Sequence, residues 1–583
     1  MARNQIEFAN GLEELRTARR QSRTCFWIVA LFSAFTNLLM FSGPIYMLQI
    51  YDRVLTSRSI ETLVALTGLV VFFLLIMGVL DYARGRILAR IAEKFYEHLE
   101  KRVFDALMTP TSRLTLNPTQ SGLSDLETIK RFIASPGPLA AFDVPWTPIF
   151  LLGLFVFHPW LGHLALVGTG LLIGAAMLNQ HLSQNALRKA QQLAHQGSGL
   201  RDMISRDPSS FQGIGIQGSS YQRFQKNTRN IHGYHLQGSD ITGGFTAAIK
   251  TLRLLLQSAM LGTGALLVVR SELSLGAMFA SSILAGRAMA PIEIAIGQWS
   301  NFHNARKSWW NLAALLAQAP RSAQATKLPA PKAKLDVKAL SVAANQNGRA
   351  VLRNVHFTLQ PGEALGVIGP TASGKSTLAR ALVTAEPIAS GKIELSHTSI
   401  DQYPIAQLAK YIGYLPQQVE LFEATIAENI AGLSSEPDSK KVVQAAKWAE
   451  AHELILNLPE GYDTLLNKAN GHLSAGQLQR IALARALYSD PMILVLDEPS
   501  SNLDSSGAAA LNRAIKRMKS AGKSVVIMTQ RPEAIRECEN VLVLKAGRVD
   551  AFGARDRVLR KAVSNHHGIE QAFENARTQV GMQ

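Results

Sequence analysis

Only two cysteines, Cys25 and Cys538, occur among 583 residues, and they fall in different halves of the chain. Neither a disulfide framework nor a cysteine-based zinc site is implied by that pair. Acidic residues are also scarce: 43 Asp and Glu stand against 60 Lys and Arg, a formal net charge of +17. Charge of either sign is nearly missing from Cys25 to about Leu48, Leu63 to Leu80, Ala140 to His158 and Trp160 to Leu178. The same holds for Leu252 to Val269 and, until Arg287 interrupts the pattern, for the stretch from Leu275 to Ala285. A bilayer core about 30 Å thick needs about 20 apolar helical residues, so these are six predicted spans. A cleaved leader is excluded for the first, whose apolar core is too long and runs on into Tyr46-Met-Leu-Gln-Ile-Tyr-Asp. The positive excess then belongs beside the spans, where anionic membrane lipids attract it, and nucleic acid is not expected as a partner.

Basic residues set the topology. Residues 1–24 carry Arg3, Arg16, Arg19, Arg20 and Arg23. The polar stretch between spans two and three holds Arg84, Arg86, Arg90, Lys94, Lys101, Arg102, Lys130 and Arg131, and the stretch near 180–245 is again basic. The positive-inside rule therefore puts the N-terminus, both long loops and everything after span six in the cytoplasm. Ile87 to Met108 and Leu187 to Arg206 keep helical periodicity, so the spans are predicted to continue into the cytosol as helices. A linker rich in Pro and Ala, Ala319 to Pro331, ends the membrane half.

The second half opens on a phosphate-binding pattern. Gly369, Pro370, Thr371, Ala372, Ser373, Gly374, Lys375 and Ser376 fit G-x-x-x-x-G-K-[ST], and Thr377 follows. An apolar run before it reads as a strand, and the residues after it as the start of a helix. The glycines let backbone amides wrap a phosphate chain at a helix N-terminus. Lys375 is expected on the β- and γ-phosphates of ATP, and the Ser376 hydroxyl on Mg²⁺. Further on, the apolar run Met492-Ile-Leu-Val-Leu ends in Asp497-Glu498. Asp497 suits the Mg²⁺ shell, and Glu498 suits the base that polarises attacking water.

With Leu473, Ser474, Ala475, Gly476 and Gln477 shortly before that run, residues 335–560 resemble the ATP-binding-cassette superfamily. The resemblance makes Gln417 a metal- and water-contacting residue and Asp504 part of the loop that follows the base. It also makes Leu473–Gln477 a signature that acts on the ATP of a second chain. The implied fold is a six-helix, all-α type I ABC exporter membrane domain followed by an α/β P-loop, RecA-like domain with a helical subdomain. Expected boundaries are an N-terminal cytoplasmic segment (1–24), the six-span domain (25–318), the linker (319–331), the ATPase (332–560) and a tail (561–583). Turns between the cytosolic helices are expected to couple to the ATPase.

Tyr46 to Val54, Asp143 to Pro148, Leu284 to Pro291 and Tyr411 to Phe422 look like the permease/ATPase of type I secretion systems, the alkaline-protease and lipase exporter group. That resemblance implies a homodimer in the bacterial inner membrane that works with a periplasmic membrane-fusion adaptor and an outer-membrane channel. The implied cargo is an unfolded protein with an uncleaved C-terminal signal. The shortness of residues 1–24 argues against leader-peptide cleavage by this chain. Export of lipid or small molecules, or service as one half of a heterodimer, is the alternative that shares this architecture. In span six, Arg287 and Glu293 either face the bundle interior along a substrate path or mark a helix already emerging into the cytosol near Pro291.

Three positions depart from the superfamily pattern. Gln530 stands after Val525-Val-Ile-Met-Thr529, where a histidine is usual, and a neutral amide cannot supply an imidazolium charge. Ala475 replaces a signature glycine. No Phe, Tyr or Trp lies between Asn311 and His356, so Val342-Ala-Ala344 stands where an adenine-stacking ring is usual. The expected consequence is a slowed or asymmetric ATPase.

Overall fold

In the computed structural model the described residues are 2–109, 122–206, 208–319, 328–343, 350–466, 473–501, 503 and 505–562. Asp504, most of the linker and nearly all of the tail lie outside them. Six helical stretches are long and apolar enough to cross a membrane: Arg23–Ser57, Ile60–Leu107, Pro136–Phe157, Pro159–Ala194, Gln217–Val269 and Leu275–Gly297. The helices Ile60–Leu107, Pro159–Arg206 and Gln217–Val269 run unbroken for 48, 48 and 53 residues. At a 1.5 Å rise per residue each is about 70–80 Å long, far more than a bilayer, so each continues well past it. The chain divides into two units, Met1–Pro320 and Arg321–Gln583.

The membrane unit is apolar outside, and its largely apolar interior encloses one buried polar cluster. No residue in the most apolar window of Ile60–Leu107 is buried, and Phe72, Leu75 and Val79 stand exposed. Lipid tails make that exposure harmless. Inside, the Arg84 guanidinium donates to Asp143 Oδ1 at 2.7 Å and to Ser33 Oγ at 3.0 Å, and reaches Asp81 at 2.9 Å. Asn37 Nδ2 donates to the same Asp143 oxygen at 2.7 Å. Spans one and two and the start of span three are thereby tied by buried polar groups, whose alternative in hydrocarbon would be no partner at all.

At the far end of the bundle, span one closes in a single π-helical turn, Ile50–Val54. Its Asp52 accepts from Ser274 Oγ at 2.6 Å and from the backbone N–H of Gly276 at 2.9 Å, fastening the first turn of span six. Residues 1–24, read from sequence only as a segment, form the helix Ala2–Arg20. Leu15 and Ala18 are buried from it, and Gly11 lies against the helix Trp299–Gln318 so closely that a Cβ would sit 2.2 Å from the Ala313 carbonyl oxygen.

The second unit holds a six-stranded sheet. Its order is Arg548–Ala554, Asn540–Lys545, Ala364–Ile368, Ser524–Met528, Ile493–Asp497 and Ile412–Leu415, parallel except for the first strand. Ser524–Met528 and Ile493–Asp497 are buried throughout, the near-continuous apolar run expected of strands covered on both faces. A four-stranded antiparallel sheet, built on Leu335–Ala343 and Ala350–Leu359, forms a second layer. Helices Ser439–Trp448 and Ala475–Leu487 pack together in a helical part.

Candidate functional site

Register gathers the site at the carboxyl ends of three adjacent strands. Met528 pairs with Val367 on one side and with Asp497 on the other. The residues that leave these strands, the Gly369–Gly374 loop, Glu498 and Gln530, therefore emerge side by side, where parallel sheets bind ligands. Gly374 takes φ +103° just ahead of the helix Lys375–Leu382. A side chain at Gly369 would place its Cβ 2.2 Å from the Leu544 carbonyl oxygen, so the loop backbone can lie where it does only without one.

Lys375 Nζ donates to the carbonyls of Gly369 at 2.8 Å and Pro370 at 3.1 Å. Burial holds its ammonium below the ordinary lysine range, against the pull of Glu498 and Asp497. Ser376 Oγ donates to Asp497 Oδ1 at 3.0 Å and lies 3.5 Å from Gln417 Oε1. Burial pushes the Asp497 carboxyl up, and the charge of Glu498 pushes it further. A bound cation would pull it back down.

Glu498 is nine per cent exposed and sits at φ +50°, an uncommon conformation for a residue with a side chain. Its N–H donates to the Met528 carbonyl at 2.8 Å, and Gln530 Nε2 donates to its Oε1 at 3.2 Å. The glutamine thus holds the candidate base. Gln479, which sequence reasoning missed, fixes the next residue by donating to the Pro499 carbonyl at 2.6 Å. It lies one helical turn past Ala475, and that placement was its only sequence signal.

The residues present fit a nucleotide with Mg²⁺. Ser373 Oγ is buried among the loop residues with no hydrogen-bond partner, an acceptor and donor left for phosphate. Ser376, Gln417 and Asp497 together offer only oxygens, the donor set of a hard divalent cation. Ser474 caps the helix Ala475–Leu487 in a reciprocal box with Gln477, and Ala475 and Ser474 are exposed. Among the described residues no hydrogen bond joins Leu473–Gln477 to the phosphate loop of the same chain. Val342 is buried in its strand, and Ala344 lies outside the described residues. One other acidic cluster, Asp336, Glu394 and His397, is already served by Lys334 at 3.2 Å and Lys338 at 2.6 Å.

The membrane unit contains a cavity of about 1480 Å³. Arg188, Lys250, Arg253 and Lys307 line it against only Asp125 and Glu293, and amides such as Asn179, Gln180, Gln191 and Gln192 fill the wall between. Glu293 pairs with Arg253 at 2.9 Å, which places this acid of span six on the cavity. Burial raises the Asp125 carboxyl, which accepts from Ser308 at 2.6 Å.

Residues 352–501 match the family described as ABC transporter, and residues 26–291 match the ABC transporter transmembrane region. The type I secretion system ATP-binding protein PrsD of Rhizobium meliloti is 39% identical over 93% of this chain and 93% of its own. The cyclolysin secretion/processing ATP-binding protein CyaB of Bordetella pertussis is 26% identical over 91% of this chain and 75% of its own. The alpha-hemolysin translocation ATP-binding protein HlyB of Escherichia coli is 25% identical over 92% and 77%. A solved bacterial Atm1-family ABC exporter with ATP bound matches the fold with a TM-score of 0.76 at 19% identity, covering 94% of this chain and 98% of that one.

Proposed function

Because the chain belongs to the ABC exporters of the type I secretion group, a multi-pass inner-membrane ATPase of protein export, we propose that it moves an unfolded polypeptide bearing a C-terminal secretion signal. One observation carries the choice of polypeptide: the amide-rich, net-cationic wall of the cavity suits a peptide backbone and acidic side chains. Two copies of the chain form the working unit. A periplasmic membrane-fusion adaptor and an outer-membrane channel complete the route.

Each ATP lies between chains. Lys375 and the amides of the Gly369–Gly374 loop hold the phosphates, while Ser474 and Gly476 of the second copy close over the γ-phosphate. Ser376, Gln417 and Asp497 would hold Mg²⁺, which when bound neutralises charge on the phosphates. Glu498 accepts a proton from the attacking water. Gln530 orients Glu498 and the γ-phosphate by neutral hydrogen bonds, with less charge-assisted stabilisation than an imidazolium supplies. The family resemblance assigns Asp504 to the same interface. Glu498 remains present and positioned, which favours a slow homodimer over an obligate heterodimer.

Deleting the gene tests the reading. A large protein should vanish from the medium while membrane lipid composition stays constant. Lipid accumulating in the inner leaflet, with secretion intact, would contradict it.

A further inference from the structure

We propose that the cytoplasmic-side groove between the N-terminal helix and the helix Trp299–Gln318 is a binding site for an anionic phospholipid. The groove is a separate cavity of about 380 Å³. Its walls come from five helices and are almost wholly apolar, with Phe26, Phe95, Phe132, Ile133, Trp309 and Trp310 among the lining residues. Phe95 stacks on Trp309 with ring centroids 6.0 Å apart, and Phe8 stacks on Trp310 at 5.7 Å, so the aromatic wall is built and not loose.

Two cations stand at this wall, Arg19 and Arg306, and both are exposed. Among the described residues neither makes an ion pair, and no carboxylate lines the groove. The groove is thus apolar in its depth and positive at its rim. That order complements a phospholipid: an apolar slot for an acyl chain, and cations for an anionic headgroup.

Its level in the membrane agrees. Arg19 ends the N-terminal helix, Ser22 lines the groove, and the first span begins at Arg23. The rim therefore lies where the first span enters the cytoplasmic leaflet, the leaflet rich in anionic lipid. Basic pockets between helices on this side take such headgroups, and tryptophan favours this depth. A single acyl chain fills the aromatic slot while the phosphate meets Arg19 and Arg306. The bound lipid then pins the N-terminal helix to the bundle, since its two cations come from the two helices that Gly11 brings together.

Full-length protein in nanodiscs provides the test. Trp27, Trp146, Trp160, Trp299 and Trp448 are replaced by Phe, leaving Trp309 and Trp310 as reporters. Phosphatidylglycerol with brominated acyl chains should quench them with at least a roughly tenfold preference over brominated phosphatidylcholine. Arg19→Gln with Arg306→Gln should abolish the preference, and Arg19→Lys with Arg306→Lys should keep most of it. Native mass spectrometry of the unmodified protein, counting retained phosphatidylglycerol before and after the Gln pair, gives the same readout if the tryptophan variant fails to fold. Equal quenching by both lipids, or a preference that survives the Gln pair, overturns the proposal. No quenching by either lipid overturns it too.

Discussion

Both halves of this chain bury apolar side chains, but they differ in what they leave outside and in the charge they keep inside. In the ATPase, the strand Ile493–Asp497 has every residue buried, and its one carboxylate appears where the strand ends. In the membrane half, the most apolar stretch of Ile60–Leu107 buries nothing, while Arg84, Asp143 and Asn37 are buried in a bundle that also encloses Phe150, Leu154 and Leu161. Water drives the first arrangement and lipid permits the second. The lesson concerns where information sits. A soluble sheet exports its chemistry at loops with fixed spacing, whereas a membrane bundle hides its polar groups on helices whose pairing no spacing records.

Arg84→Ala should have the largest effect on stability. It leaves the buried Asp143 carboxylate with Asn37 alone, and breaking a buried pair from one side costs about 3–5 kcal/mol. Thermal unfolding in nanodiscs reads the loss; an unchanged midpoint would mean that the network carries no weight.

Truncating leucines breaks the comparison from both ends. Leu494→Ala removes a fully buried side chain from the ATPase sheet and should cost about 2–5 kcal/mol. Leu75→Ala, on a residue 66% exposed on the membrane unit, should cost less than about 1 kcal/mol when measured in a bilayer. Equal losses at both sites would show that Leu75 is covered by protein.

The smallest predicted change is kinetic. Gln530→His should raise the ATPase rate of a homodimer by a few-fold with little change in apparent ATP affinity, since about 1.4 kcal/mol is needed for each tenfold. A drop would mean that the hydrogen bond from Gln530 to Glu498 is the better arrangement for this site. Full activity appearing only on addition of a second half-transporter would point to a heterodimer.

Legibility followed the same division. Gly369, Lys375, Ser376, Asp497 and Glu498 were readable because backbone geometry demands those residue types at those intervals, and the structure brings them to adjacent strand ends. The six spans were readable from length and hydropathy alone. The N-terminal helix was not, although Phe8, Leu12, Leu15 and Ala18 recur at helical spacing on its packed face. Arg16, Arg19 and Arg20 flank that face, so charge dominates the local pattern. Asp52 and Asp143 stood in stretches singled out from sequence, yet their roles depend on Gly276 and Arg84, which lie 224 and 59 residues away. The π-helical turn that presents Asp52 has no local signature to read.

The most direct measurement uses inside-out membrane vesicles holding the wild-type chain or Glu498→Gln. A secreted polypeptide with its C-terminus intact is added with ATP, and the fraction protected from protease is followed over time. Wild-type vesicles should protect the polypeptide only with ATP. In Glu498→Gln, ATP binding should persist while hydrolysis and protection fall by roughly 10²–10⁴-fold, the share a general base supplies. Protection undiminished in Glu498→Gln would contradict the account, as would wild-type vesicles that hydrolyse ATP and move lipid but no polypeptide.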